Sequence, residues 1–119
     1  MHMKIIRKFA DARHGWRGLR AVWREEWHFK YQVAFATSAF LIAFFLGAYA
    51  YELVLLFCTL CITLASEVIN TAIEDVCNRI QPEFEEAIGA IKDMAQAFVI
   101  LSALPSLAVF LWIVLPRLA

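Results

Sequence analysis

Residues 51–74 read YELVLLFCTLCITLASEVINTAIE, and the placement of charge within that stretch decides the fold. Apart from Glu52, its first fifteen positions are uncharged, after which Glu67, Asn70 and Glu74 enter at spacings of three and four. A helix needs about 20 mostly apolar residues to cross about 30 Å of hydrocarbon. At 100° per residue Glu67, Asn70, Glu74 and Asn78 fall within an arc of about 80°, so the helix carries one polar stripe. Glu67 lies sixteen residues beyond Tyr51, about 24 Å along the axis, which sets it near the far lipid interface; Glu74 lies about 10 Å further, in water.

Two more apolar runs flank this one, at 31–50 and 94–115, and 62% of the 119 residues are hydrophobic. Such a composition excludes an ordinary soluble domain. The expected architecture is all-α and integral to a membrane: one domain over 1–119, with an amphipathic surface helix (about 4–27) and transmembrane helices at about 31–50, 51–75 and 93–115. The zero net charge implies no attraction to nucleic acid. Eight of the eleven Lys and Arg precede the first span, Arg79 and Lys92 lie between the second and third, and only Arg117 follows the last. The positive-inside rule therefore predicts a cytoplasmic N-terminus and an external C-terminus. The first 30 residues mix basic groups with Trp16, Leu19, Val22 and Trp23 and lack the compact apolar core of a cleavable signal. Trp16, Trp23, Trp27 and Tyr31 on one side, and Tyr49 and Tyr51 on the other, suit two interfacial aromatic belts.

The remaining local signals are weaker. Cys58 and Cys61 form a C-x-x-C spacing without a second pair or nearby His, and read as small buried hydrophobes rather than metal ligands. Ala39, Ala43 and Gly47 repeat every four residues, a face that permits close helix contact. Pro82 suits the first turn of a new helix with Glu83, Glu85 and Glu86 behind it. Pro105 should kink the third span without breaking it.

Ionisable groups at interface depth are costly and usually face a bundle interior or a water-filled site. The plain structural alternative is that Glu67 and Asn70 bond between helices while Glu74 is a solvated end residue. Glu25-Glu26 and Lys92-Asp93 can reach the same level, however. Separate carboxylates can hold a divalent cation, a lysine can neutralise a transferring phosphate, and a further carboxylate can take a hydroxyl proton. A proton-coupled transporter is the rival of another class, and it calls for a carboxylate nearer the membrane centre.

The pattern Glu67-x-x-Asn70-Thr71-Ala72-Ile73-Glu74, followed by Ile91-Lys92-Asp93-Met94-Ala95, resembles the diagnostic segments of the prokaryotic diacylglycerol kinase family, which includes undecaprenol kinases. Trp16-Arg17-Gly18-Leu19-Arg20-Ala21 and Glu26-x-x-Phe29 resemble its N-terminal helix. The resemblance implies a homotrimer in the bacterial inner membrane, with its active site facing the cytoplasm, that transfers the γ-phosphate of MgATP to a lipid alcohol. That alcohol is diacylglycerol or, alternatively, undecaprenol. By position, Glu67 resembles the catalytic base, and Glu26 and Glu74 the Mg2+ ligands. Arg7, His14, Asn70, Glu74, Glu83, Glu85, Lys92 and Asp93 resemble the nucleotide contacts. Arg7, Trp16, Trp23, Phe29, Gln32 and Glu67 resemble the lipid site. Asn78 stands where Asp is common in the family, Gln32 where an acid is frequent, Glu25 where Asn is usual and Ile91 where Ala is usual.

Overall fold

The computed structural model describes residues 2–83 and 85–119, with side chains from Asp11 onward. Four helices follow one another: α1 (His2–Glu25), α2 (Trp27–Phe45), α3 (Ala50–Ile80) and α4 (Glu86–Leu118). α3 and α4 form the most extensive pairing, with α2 against both and α1 touching α2 and α3.

Each boundary has a local cause, and several differ from the sequence expectation. The N-terminal helix stops at Glu25, because Glu26 takes an extended backbone (φ −106°, ψ 108°) that caps α2. α2 then ends at Phe45 rather than near residue 50. Gly47 has φ 82°, and the Gly47 and Ala48 amides bond back to the carbonyls of Phe44 (3.1 Å) and Ala43 (3.0 Å). This is a Schellman closure, which favours glycine at the left-handed position. Gly47 thus leaves the expected small-residue face, and a Cβ there would meet nothing within 4 Å. Ala43 keeps its part in close packing and is fully buried.

α3 continues to Ile80, and its cap Gln81 is pushed to φ −143°, as the residue before Pro82 disfavours the helical region. Pro82 consequently stands outside any helix, contrary to its reading as a first-turn residue. α4 starts instead at Glu86, whose charge meets the positive end of the helix dipole.

α3 and α4 are each long and apolar enough to cross a membrane. α2 has 19 residues, of which the first six, Trp27 to Gln32, mix aromatic, basic and amide groups. The apolar surface points outward: Phe35, Phe45, Leu101 and Leu115 are all exposed, an arrangement that suits lipid rather than water. Cys58 and Cys61 lie on this outer surface instead of being buried, and only Cys77 is enclosed.

Two polar devices join α3 to α4. At mid-length, Thr63 Oγ1 and Ser106 Oγ are 2.6 Å apart, Thr63 also reaches the Ser102 carbonyl (3.0 Å), and Ser106 reaches the Thr59 carbonyl (3.0 Å). This rung adjoins Pro105, which sits within a continuous α4 as expected. At the Gly47 end, Glu52 is buried against Arg117, beside a core of Ala43, Leu56, Ile113 and Val114.

Candidate active site

The stripe on α3 points inward. Glu67 and Asn70 are 6% and 3% exposed, Ser66 and Thr71 are buried with them, and Glu74 is half-buried. Glu67 does not merely face a neighbour: Gln32 Nε2, on the first turns of α2, donates to Glu67 Oε2 at 2.8 Å. Gln32 Oε1 and Asn70 Oδ1 are both buried without a partner. Buried acceptors left unpaired are costly, and at a candidate site they indicate room for a donor that the chain itself does not supply.

The junction between α1 and α2 brings Glu26 to this stripe. Burial raises the Glu26 pKa above the usual carboxylate range, and the charges of Glu74, Asp75 and Glu67 raise it further, while His28 partly opposes them. Four acids from two parts of the chain therefore share one field. Helical periodicity misses Asp75, which lies 60° outside the stripe's edge at Asn78; its charge directly beside Glu74 is the available signal. A divalent cation would relieve this repulsion. Among the described residues no group of three His, Cys, Asp or Glu is placed to hold a metal. Mg2+ bound with a nucleotide is usually held by one or two carboxylates together with phosphates and water, and Glu26 and Glu74, whose charges act on one another, fit that donor set.

Lys92, near the start of α4, donates from Nζ to Asn78 Oδ1 at 2.7 Å. Asn78 is thus a neutral partner, leaving the ammonium charge uncompensated by that contact. Asp93 is exposed one residue on. Trp23 meets the buried Phe29 edge-on with centroids 6.3 Å apart, and Lys30 Nζ lies 5.9 Å from the Trp23 ring. The expected site residues His14, Trp16, Glu83 and Glu85 are exposed. Arg7 lies outside the residues whose side chains are described.

The family model of prokaryotic diacylglycerol kinase matches residues 13–114. The chain belongs to the prokaryotic diacylglycerol kinase family. The diacylglycerol kinase of Escherichia coli strain K12 is 36% identical over 104 residues, which cover 87% of this chain and 84% of that protein. The protein of the same name from Shigella flexneri gives the same figures. That of Haemophilus influenzae strain Rd is 29% identical over 92 residues, covering 77% of this chain and 78% of its own. Membership in this diacylglycerol kinase family makes the chain an ATP-dependent lipid kinase. The matched residues contain α2, α3 and most of α4, so they include the Gln32–Glu67 pair, the acids around Glu26 and the Lys92–Asn78 contact.

Proposed function

We propose that this chain transfers the γ-phosphate of MgATP to the hydroxyl of diacylglycerol, giving phosphatidic acid. The observation that carries the reading is the order of groups along α3. Glu67 is buried and hydrogen-bonded, and Glu74 follows two turns on, where its charge and that of Asp75 act on Glu26; the helical rise puts Glu67 near the lipid interface and Glu74 in water. Such an order suits a reaction between a membrane alcohol and a soluble nucleotide.

In this mechanism the lipid hydroxyl approaches from the bilayer side, and Glu67 accepts its proton as the oxygen bonds to the γ-phosphorus. The bond from that phosphorus to the bridging oxygen of ADP breaks. Glu26 and Glu74 would hold the Mg2+ that accompanies the nucleotide, which would supply neutralisation of phosphate charge there. Lys92 swings from Asn78 to the phosphates, and Asn70 and Asp93 complete the nucleotide contacts. Positioning and charge neutralisation supply most of the rate enhancement. His14, Glu83, Glu85 and Arg7 line the nucleotide's approach. Trp16, Trp23, Phe29 and Gln32 border the lipid's. α2 is the first of three spans, entering through its aromatic first turns, and the chain acts as a homotrimer in the bacterial inner membrane. Its N-terminus and site are cytoplasmic, and its C-terminus is external.

The test is phosphorylation by the purified protein in mixed micelles with γ-labelled ATP, comparing diacylglycerol, undecaprenol and ceramide with and without magnesium. Magnesium-dependent label in phosphatidic acid is the expected result. Preferential labelling of undecaprenol would redirect the substrate assignment to the other branch of the family.

A further inference from the structure

A lysine ammonium has donors only, so the Asn78 atom that meets Lys92 Nζ at 2.7 Å has to be the amide oxygen. That turns the Nδ2 group, with its two protons, away from the ammonium. Asn78 is exposed and Lys92 half-buried, and their contact is open to solvent. Asn78 follows Glu74 by one helical turn, about 6 Å along the axis. Arg79 and Asp93, next to the pair in sequence, offset one another in charge. One positive charge and one amide donor therefore end a stripe in which Glu67 and Glu74 are acids. Aspartate, the residue common at this position in the family, would draw the ammonium into an ion pair and offer no donor.

We propose that Asn78 is a nucleotide-binding residue of this chain: its amide oxygen holds Lys92 without neutralising it, and its amide nitrogen donates to the phosphate group that the ammonium meets. The inference rests on the lipid kinase reading above. The departure from aspartate is then a determinant of nucleotide affinity. A triphosphate approaching the pair finds a full positive charge and a second donor, where an ion pair at the same place would present neither. The neutral amide also removes one carboxylate that the phosphates would otherwise have to approach, one turn beyond Glu74.

Asn78→Asp is the deciding variant, because it keeps the side-chain volume and the oxygen that faces Lys92. If Asn78 served only to hold the lysine, a carboxylate would hold it better, since hydrogen bonds between ions are the stronger ones. KM for ATP would then stay at the wild-type value or rise less than in Asn78→Ala. A carboxylate beside an incoming phosphate repels it instead. Two unit charges 4 Å apart in water interact by a factor of about five, and the lost donor adds about a further twofold or more. KM for ATP in Asn78→Asp should therefore rise about tenfold, above the fewfold rise in Asn78→Ala. The gap between the two variants should narrow in about 0.5 M potassium chloride, which screens exposed charges. Both are compared with wild type in mixed micelles, with diacylglycerol saturating and magnesium in fixed excess over ATP.

A KM for ATP in Asn78→Asp at or below that of Asn78→Ala, or a gap between them that salt does not narrow, overturns the role given to Asn78. Phosphorylation of lipid by wild type in the same assay would then leave the kinase reading standing. Absence of ATP-dependent phosphorylation of every lipid by wild type would overturn both.

Discussion

Arg117 Nη2 lies 2.6 Å from Glu52 Oε2, joining the last turn of α4 to the first turn of α3 across 65 residues of sequence. The same carboxylate oxygen accepts the Tyr49 amide at 2.7 Å, Arg117 Nη1 bonds the Ile113 carbonyl at 2.7 Å, and the guanidinium lies 5.6 Å from the Tyr49 ring centre. Removing one member of a buried pair leaves the other charge uncompensated, at a cost of about 3–5 kcal/mol. Arg117→Met and Glu52→Leu should each lower stability by about that much in micelle denaturation. The double variant should recover most of the loss, because neither charge then remains buried alone.

Glu67→Gln removes the proton acceptor yet keeps a side chain of the same shape beside Gln32. Transfer to lipid should fall by about 10²–10⁴-fold, with helix content and oligomer size unchanged by circular dichroism and gel filtration. Turnover near the wild-type rate would show that Glu67 is not the base.

The raised pKa of Glu26 sets a direction for pH dependence. Between the ordinary carboxylate pKa and the raised folded value, the native state binds more protons than the unfolded chain. Stability without magnesium should therefore fall as pH rises through that window. Activity has the opposite sign, since metal binding needs the ionised form. Thermal scans and Mg2+ titrations at stepped pH should show both trends, and Glu26→Gln should flatten the stability trend.

The Thr63–Ser106 rung is a polar contact between helices in an otherwise apolar stretch. Thr63→Val combined with Ser106→Ala should cost about 1 kcal/mol, in line with hydrogen bonds inside membrane proteins. Unfolding in detergent mixtures measures it.

Lys92 rests on the neutral Asn78. Asn78→Ala should raise KM for ATP a fewfold through a less ordered ammonium, with kcat for lipid little changed. Lys92→Met should lower kcat/KM for ATP far more, because it removes the charge itself. Steady-state kinetics at varied ATP distinguish the two.

Periodicity and hydropathy were enough to read the helical class, the long apolar α3 and α4, and the inward stripe of Glu67, Asn70 and Glu74. Those features are local: a helix repeats every 3.6 residues, and burying an acid among apolar neighbours is conspicuous in the chain itself. Helix ends were less legible. Gly47 and Gln81-Pro82 carry the signals of helix ends, but in sequence alone Gly47 reads equally as part of a small-residue face and Pro82 as a helix start. Tertiary structure alone decided that Gln32 holds Glu67, that Glu26 shares a field with Glu74 and Asp75, that Asn78 receives Lys92, and that Arg117 closes on Glu52. Each of these joins residues on different helices or at a helix junction. Their meeting depends on crossing angle and axial register, which arise from how whole helix faces pack and leave no periodic trace in the sequence.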